Sequence, residues 1–495
     1  MKYFTHLHVL FSLCFVLCST SIIAAETPAQ SKPEAKPELK VINLPVYPAP
    51  IPQPALKYRL LPRAIAQTPG NAALLYDKVF EQFAAWECKN DIPSNDSENA
   101  KQLERFYINT EKLDAWLEVP LNELPKDDLR KLFDNMEPWM EYVEMASRRL
   151  ECDWELPIRE MNNPFEIDLQ QAMRAKTLGK ILALKVRLSL AEGKPEEAIK
   201  SLQMGFALSQ QIGKEPLVSC LVGLAIANIM REQLLDLCQL KNAPNLYWSL
   251  STLPHPLISI KKGLESEEVV LERLLPELQE ARKGQHSPEQ WQKIWESVVE
   301  RINLLFTSDN NYKKEEYDSK KLLNENYPKA RDYLINLGWP KKDIQSMAPA
   351  QVLLLYCAEI WDETRDDYMK LLSIDYSQWP NNWQDRFNEL LKSYKQKEVL
   401  PLSDLLPAIT VAARAQARVE REIESLRCIE AIRLYAYLHD GKLPDILGDV
   451  KEVPIPPTNP LTGKPFSYHL EGDTAVLLAD GDMRINYEYH IKIAK

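Results

Sequence analysis

Residues 427–441 read Arg-Cys-Ile-Glu-Ala-Ile-Arg-Leu-Tyr-Ala-Tyr-Leu-His-Asp-Gly, and the grammar of the chain changes at their last member. Before Gly441 the pattern predicts one long helix, about 403–440. Its later apolar residues Cys428, Ile429, Ala431, Ile432, Leu434, Tyr435 and Leu438 spread widely round the circumference, so that end is expected to be buried on most sides. After Gly441, Pro444, Pro454, Pro456, Pro457 and Pro460 exclude helix. Segments 466–470 and 474–478 flank Glu471-Gly472-Asp473 and predict a hairpin. Residues 483–493 then alternate without a fault. Met483, Ile485, Tyr487, Tyr489, Ile491 and Ile493 share one face of a predicted strand.

Upstream, the signals are helical. Glycine is scarce, 14 in 495 residues, whereas nucleotide-binding α/β folds and β-barrels spend it on turns and ligand approaches. Helices are predicted at about 126–149, 168–191, 216–240, 258–283, 287–305, 319–337, 348–372 and 382–394. The one at 287 opens with the capping box Ser287-Pro288-Glu289-Gln290. Glu192-Gly193-Lys194-Pro195 joins two helices into a hairpin of tetratricopeptide-like form that does not recur along the chain. The expected fold is mainly α: an irregular multi-helix, hairpin or solenoid-like body with a small C-terminal antiparallel sheet.

The N-terminus divides as a secretory signal does. Lys2 precedes an apolar stretch over 7–25 that ends in Ile23-Ala24-Ala25 before Glu26, which predicts cleavage after Ala25. Retention as a membrane anchor and lipidation at Cys14 or Cys18 are the alternatives. The expected organisation is a signal peptide over 1–25, a proline-rich spacer over 26–63, a helical body over 64–400, and a module over 401–495 made of the long helix and the antiparallel sheet. Export to a bacterial periplasm or envelope follows from that leader. It would permit disulfides, and Cys88 and Cys152, near predicted helix ends, form the best candidate pair. Cys220 and Cys238 share one helix and stand roughly 27 Å apart along it, too far to bridge.

The segments 55–62 (Ala-Leu-Lys-Tyr-Arg-Leu-Leu-Pro) and 69–73 (Pro-Gly-Asn-Ala-Ala) resemble a family of exported bacterial proteins with no assigned activity. Cys152-Asp153-Trp154, Asn245-Leu246-Tyr247-Trp248 and the C-terminal run from Arg427 through 460–466 (Pro-Leu-Thr-Gly-Lys-Pro-Phe) to Tyr468 resemble it too. That resemblance implies export and a helical body, and it transfers no functional residue. The tail alone is weakly similar to the globular end of type II pseudopilins, a helix followed by a proline-rich loop and a hairpin.

Charge and motifs narrow the function. A net charge of −11 argues against a polyanion-binding face, so no nucleic-acid partner is expected. No membrane span is expected apart from the N-terminal segment. The histidines beyond the leader (His255, His286, His439, His469 and His490) show no ligand spacing, and no metal or cofactor is expected. Glu359, Asp362, Glu363 and Asp366 line one side of a helix, a pattern open to paired-carboxylate chemistry or to a solvated face. Tyr247, Trp248, Trp291, Trp295 and Trp361 are candidate binding aromatics, set against a core role for the same rings. The reading that results is a non-enzymatic envelope scaffold that binds a protein or envelope polymer. The alternatives are a hydrolase of envelope polymers using paired carboxylates, and an accessory of secretion or pilus-like machinery.

Overall fold

The computed structural model describes residues 37–87, 110–161, 167, 169–307, 316–380, 383–406 and 409–494, so Ala25 and Cys88 lie outside the described residues. The chain is mainly α with a small C-terminal sheet. In order it forms β1 (Glu38–Val46), β2 (Thr68–Asn71), α1 (Ala73–Glu87), α2 (Thr110–Glu118), α3 (Lys126–Ser147), β3 (Arg149–Glu151), α4 (Gln170–Ala191), α5 (Pro195–Ile212), α6 (Leu217–Cys238) and α7 (Tyr247–Ser251). Then come α8 (Ile260–Leu274), α9 (Glu277–Lys283), α10 (Pro288–Thr307), α11 (Ser319–Leu337), α12 (Lys341–Ser346), α13 (Pro349–Met369) and α14 (Trp383–Lys397). The long α15 (Ile409–Leu438) leads to β4 (Ser467–Glu471), β5 (Thr474–Ala479) and β6 (Ile485–Ile493).

Two compact units result, and their boundaries differ from those expected at 64–400 and 401–495. The smaller holds Leu264–Ile409 with Pro157–Ile167; the larger holds Ala29–Leu156, Asp168–Gly263 and Thr410–Lys495. The module at the end of the chain therefore belongs with the early helices, for reasons that lie in the side chains of α15.

In the larger unit α4, α5 and α6 pack against one another. The α4–α5 turn is the predicted hairpin: Gly193 takes φ +70, its N–H bonds Leu190 O at 2.9 Å, and Pro195 opens α5. Helix α6 is long and apolar enough to cross a bilayer, yet most of it is enclosed by the fold. At Gly223 it meets the end of α5 so closely that an added Cβ would stand 2.6 Å from Ser209 O and 2.7 Å from Gly213 Cα.

The sheet runs β1-β6-β5-β4. β4, β5 and β6 are antiparallel as predicted, with Gly472 at φ +62 in the two-residue turn of the hairpin. Tyr487, Tyr489 and Ile491 are buried, which fulfils the alternation read in the sequence. The segment expected to be spacer corrects that expectation. Residues 38–46 pair with β6 in parallel, Glu38 opposite Ile485 and Val46 opposite Ile493. Its prolines do not forbid this. The Glu38 N–H bonds Arg484 O at 2.6 Å, so even-numbered residues face β6 and Pro45 falls on the open edge, where a missing N–H removes no ladder bond.

Helix α15 explains the partition. Arg418, Glu420, Arg421, Glu422, Glu424, Glu430 and Arg433 are all charged, and all seven are buried. Arg418 reaches Asp482 at 2.6 Å, and the Arg421 guanidinium bonds Glu422 at 2.6 Å and Asp480 O at 3.1 Å. Glu422 accepts the Tyr489 hydroxyl at 2.6 Å and faces Arg231 of α6 at 3.9 Å. The guanidinium groups of Arg231 and Arg421 each lie 5.6 Å from the Tyr487 ring centroid. On another side Arg433 bonds Glu430, Tyr47 O at 2.9 Å and Ala243 O at 3.1 Å. One helix thus grips both ends of the sheet, α6 and the approach to α7.

In the smaller unit α13 supplies the centre. Residues 352–358 are all buried, against Trp291 and Trp295 of α10 among others. The predicted capping box forms: Gln290 N–H bonds Ser287 Oγ at 3.3 Å, and Ser287 N–H bonds Gln290 Oε1 at 2.9 Å.

Two stability measurements test this architecture. Gly223→Ala is expected to cost about 1–3 kcal/mol by urea unfolding, because the atoms it meets are backbone and cannot yield. A gain, as for an unobstructed helical glycine, would refute the close approach. Glu422→Ala leaves Arg421 buried without its carboxylate and Arg231 with only exposed Glu232 at 3.5 Å, and is expected to cost about 3–5 kcal/mol, whereas a change under 1 kcal/mol would mean the network is solvated.

Candidate functional site

Each aromatic and carboxylate singled out in the sequence has a definite place. Trp291 and Trp295 are 1% and 0% exposed, and Trp295 Nε1 donates to Ser319 O at 2.9 Å; both are core. Tyr247 is also fully buried, its hydroxyl donating to Pro454 O and accepting from Arg427 at 3.2 Å. Trp248 packs edge-on against it at 5.2 Å and is 37% exposed. Cys152 is buried and forms no disulfide among the described residues, Cys88 lying outside them, and burial pushes its thiol up to about 12.

The carboxylates of α13 alternate with guanidinium groups. Arg282 pairs with Glu359 at 3.3 Å and Asp362 at 2.5 Å; Arg365 pairs with Asp362 and Asp366, each at 2.9 Å. Glu363 accepts the Tyr333 hydroxyl and lies 3.7 Å from Lys397. Each of these carboxylates is thus already engaged by a cation or a hydroxyl on the protein itself.

Trp361 is buried as well, and its indole lines a small cleft with Leu275, Leu278, Leu402 and Leu405. Glu272 and Gln279 are the polar members of the lining. Pro276, which separates α8 from α9, sets one wall. The opposite wall is a 3₁₀ turn over Leu402–Leu405, fixed by Glu398, whose carboxylate accepts Ser403 N–H at 2.7 Å and Ser403 Oγ–H at 3.0 Å. Glu268, one turn before Glu272, is held above the usual carboxylate range, chiefly by burial; Asp366, Glu272 and Glu265 add to the shift and Arg365 opposes it.

A second constellation lies in the larger unit. His255 Nδ1 stands 3.1 Å from Glu420 and 3.8 Å from Glu424, two carboxylates one turn apart on α15. Glu420 also accepts the Leu257 N–H at 2.7 Å, and Glu424 is held by Arg427 at 2.7 Å. The hydrogen bond to Glu420 raises the His255 pKa; burial and Arg427 oppose it, and the charges of both glutamates add to it. Glu420 and Glu424 were visible as an i, i+4 pair, but nothing in sequence joined them to His255, 165 residues away. Arg282 and the Leu402–Leu405 wall were likewise unmarked, being ordinary helix and loop residues until folded. Among the described residues, no cluster of His, Cys, Asp and Glu has the arrangement of a metal site.

A raised histidine pKa sets the sign of a pH effect. The stabilisation from His255 is complete below its unfolded value, about 6.5, and is lost as pH rises through the higher folded value. His255→Gln is therefore expected to lower the thermal midpoint at about pH 5.5 and to converge on wild type by about pH 9. A gap that is constant with pH would show that the ring acts by packing alone.

Comparison with known proteins gives a single partial likeness to report. A stretch of 152 residues is 31% identical to Trigger factor of Ralstonia nicotianae, covering 31% of this chain. The chain spans 30% of that relative's length. No family model matches the chain, and no solved structure does.

Proposed function

We propose that this chain is an exported, non-enzymatic helical protein of the cell envelope that binds a partner, and that the Trp361 cleft is where the partner docks. The observation that carries the reading is the make-up of the lining: an indole and four leucines gathered at one small niche, with Glu272 and Gln279 as its polar members. Apolar concavities with an aromatic wall are the usual seats of binding energy in protein–protein contacts. The leader-like sequence ending at Ala25 supports export.

One observation favours a second reading, a hydrolase of envelope polymers: the convergence of His255 on Glu420 and Glu424. Against it stand the structural duties of both carboxylates, one holding a backbone N–H and the other an arginine.

A photo-cross-linking side chain placed at Gln279 in intact cells is expected to trap a discrete partner in the envelope fraction, and Leu278→Glu to abolish the adduct. If the same probe at exposed Glu141 yields an equal pattern, the cleft is not the docking site. A protein found only in the cytoplasmic fraction would remove export from the reading.

A further inference from the structure

The four-stranded sheet of the larger unit ends on β1, and that edge is open. Even-numbered residues of β1 bond β6: Glu38 N–H donates to Arg484 O, and Ala494 N–H donates to Val46 O. The N–H groups of Leu39, Val41 and Asn43 therefore point away from the sheet, where no strand pairs with them among the described residues. The two halves of the strand differ. Leu44 and Val46 are buried, whereas residues 37–41 are exposed in an unbroken run, so both faces of that half meet solvent. Leu39 and Val41 lie together on the outer face, 50% and 48% exposed. Apolar side chains beside unpaired backbone groups are what an added strand needs.

Charge selects the occupant. Glu38 and Lys40 share the inner face at this uncovered end, and their neighbours on β6 are the uncharged Ile485 and Tyr487. The guanidinium groups beside the Tyr487 ring, Arg231 and Arg421, already face Glu422. An incoming strand would complement this edge by setting a cation against Glu38, a carboxylate against Lys40, and an apolar residue between them. Read backwards, the strand itself has that order: Lys40, Leu39, Glu38. Other registers conflict. Centring the pair on Lys40 sets lysine against lysine, and centring it on Val41 sets Lys40 against Ile42.

We propose that two copies of this chain join through β1, antiparallel about a twofold axis at Leu39. Their four-stranded sheets then become one continuous sheet with β4 at either end. Leu39 N–H of each copy donates to Leu39 O of the other, and Val41 N–H of each donates to Pro37 O of the other. Glu38 of each copy pairs with Lys40 of the other on the inner face, while Leu39 and Val41 meet their counterparts on the outer face. The contact is small, so the dissociation constant is expected at about 10–100 µM. A net charge of −11 opposes association at low salt, and about 0.15 M salt screens it beyond about 8 Å. This surface lies apart from the Trp361 niche, and the proposal does not rest on the docking reading.

The test is sedimentation of the full chain at about 0.15 M salt, from about 1 to about 200 µM. A reversible monomer–dimer equilibrium is expected. Leu39→Pro removes an N–H that β6 does not use, so the variant should fold, by circular dichroism, and stay monomeric. Glu38→Lys and Lys40→Glu should each weaken the dimer at least tenfold, and the two together should restore it, because the swapped pairs are again complementary. Leu39→Cys should give a disulfide-linked dimer under mild oxidation, since residues paired at the axis lie about 5.5 Å apart. Val41→Cys should not, being about 14 Å from its counterpart in this register. A chain that is monomeric throughout the range overturns the proposal. So does a dimer that survives Leu39→Pro, or one in which the double charge swap fails to restore what the single changes remove. Linkage through Val41→Cys in place of Leu39→Cys would refute the register and with it the charge argument.

Discussion

The larger unit depends on a set of ionic clasps that should, on simple grounds, be unfavourable. Moving Arg231, Arg421 and Glu422 out of water costs several kcal/mol for each ion, and their mutual attraction repays this only with good geometry and full hydrogen bonding. The geometry is good for Arg418, Arg421 and Glu422, whereas Arg231 keeps a buried Nε with no hydrogen bond among the described residues. Arg421 meets a carboxylate and a backbone carbonyl, Glu422 takes a tyrosine hydroxyl as well as two arginines, and Arg418 closes on an aspartate that also accepts two backbone N–H groups. Burial would raise the Asp482 carboxyl, and these donors hold it below its ordinary value. Apolar residues could fill the same volume, but each clasp accepts one partner in one orientation. The network thereby selects a single docking of α15 among the many that a greasy helix would allow.

Much of the fold was legible because periodicity reports burial directly. The β6 alternation, the hairpin at Gly472, the Ser287 capping box and the Gly193 turn all appear where their residues require them. The burial of the charged residues on α15 was not legible, for a physical reason. A run such as Arg418-Val419-Glu420-Arg421-Glu422 has the composition of a solvated helix face, and only the residues that surround it reveal burial. Residues 38–46 were hidden for a different reason. A strand at a sheet edge, set in a proline-rich stretch, has no signature of its own, because its partner lies far away in the sequence.

The candidate site was legible by residue type more than by role. Trp291, Trp295 and Trp361 are all buried, and Trp361, three positions from Ala358 in the same helix, also lines a small cleft beside the 3₁₀ turn of Leu402–Leu405. Helical phase alone does not tell a core ring from a cleft wall, since that depends on which neighbouring element covers it. The aligned carboxylates of α13 show the converse. Their spacing was read correctly, and the arginines interleaved among them convert a possible acid–base pair into a ladder of ion pairs.

The pairing of β1 with β6 has a consequence for how the chain is made. Glu38 is made long before its partner Ile485, so the sheet cannot close until β6 has been synthesised. Until α15 is made, Tyr47 O and Ala243 O also lack the Arg433 guanidinium that will bind them. β1 thus waits, with an unpaired edge and part of its apolar surface bare, for β6 to arrive. Such a topology ties completion of the larger unit to synthesis of β6, and it leaves chains cut short before β6 open to capture or proteolysis.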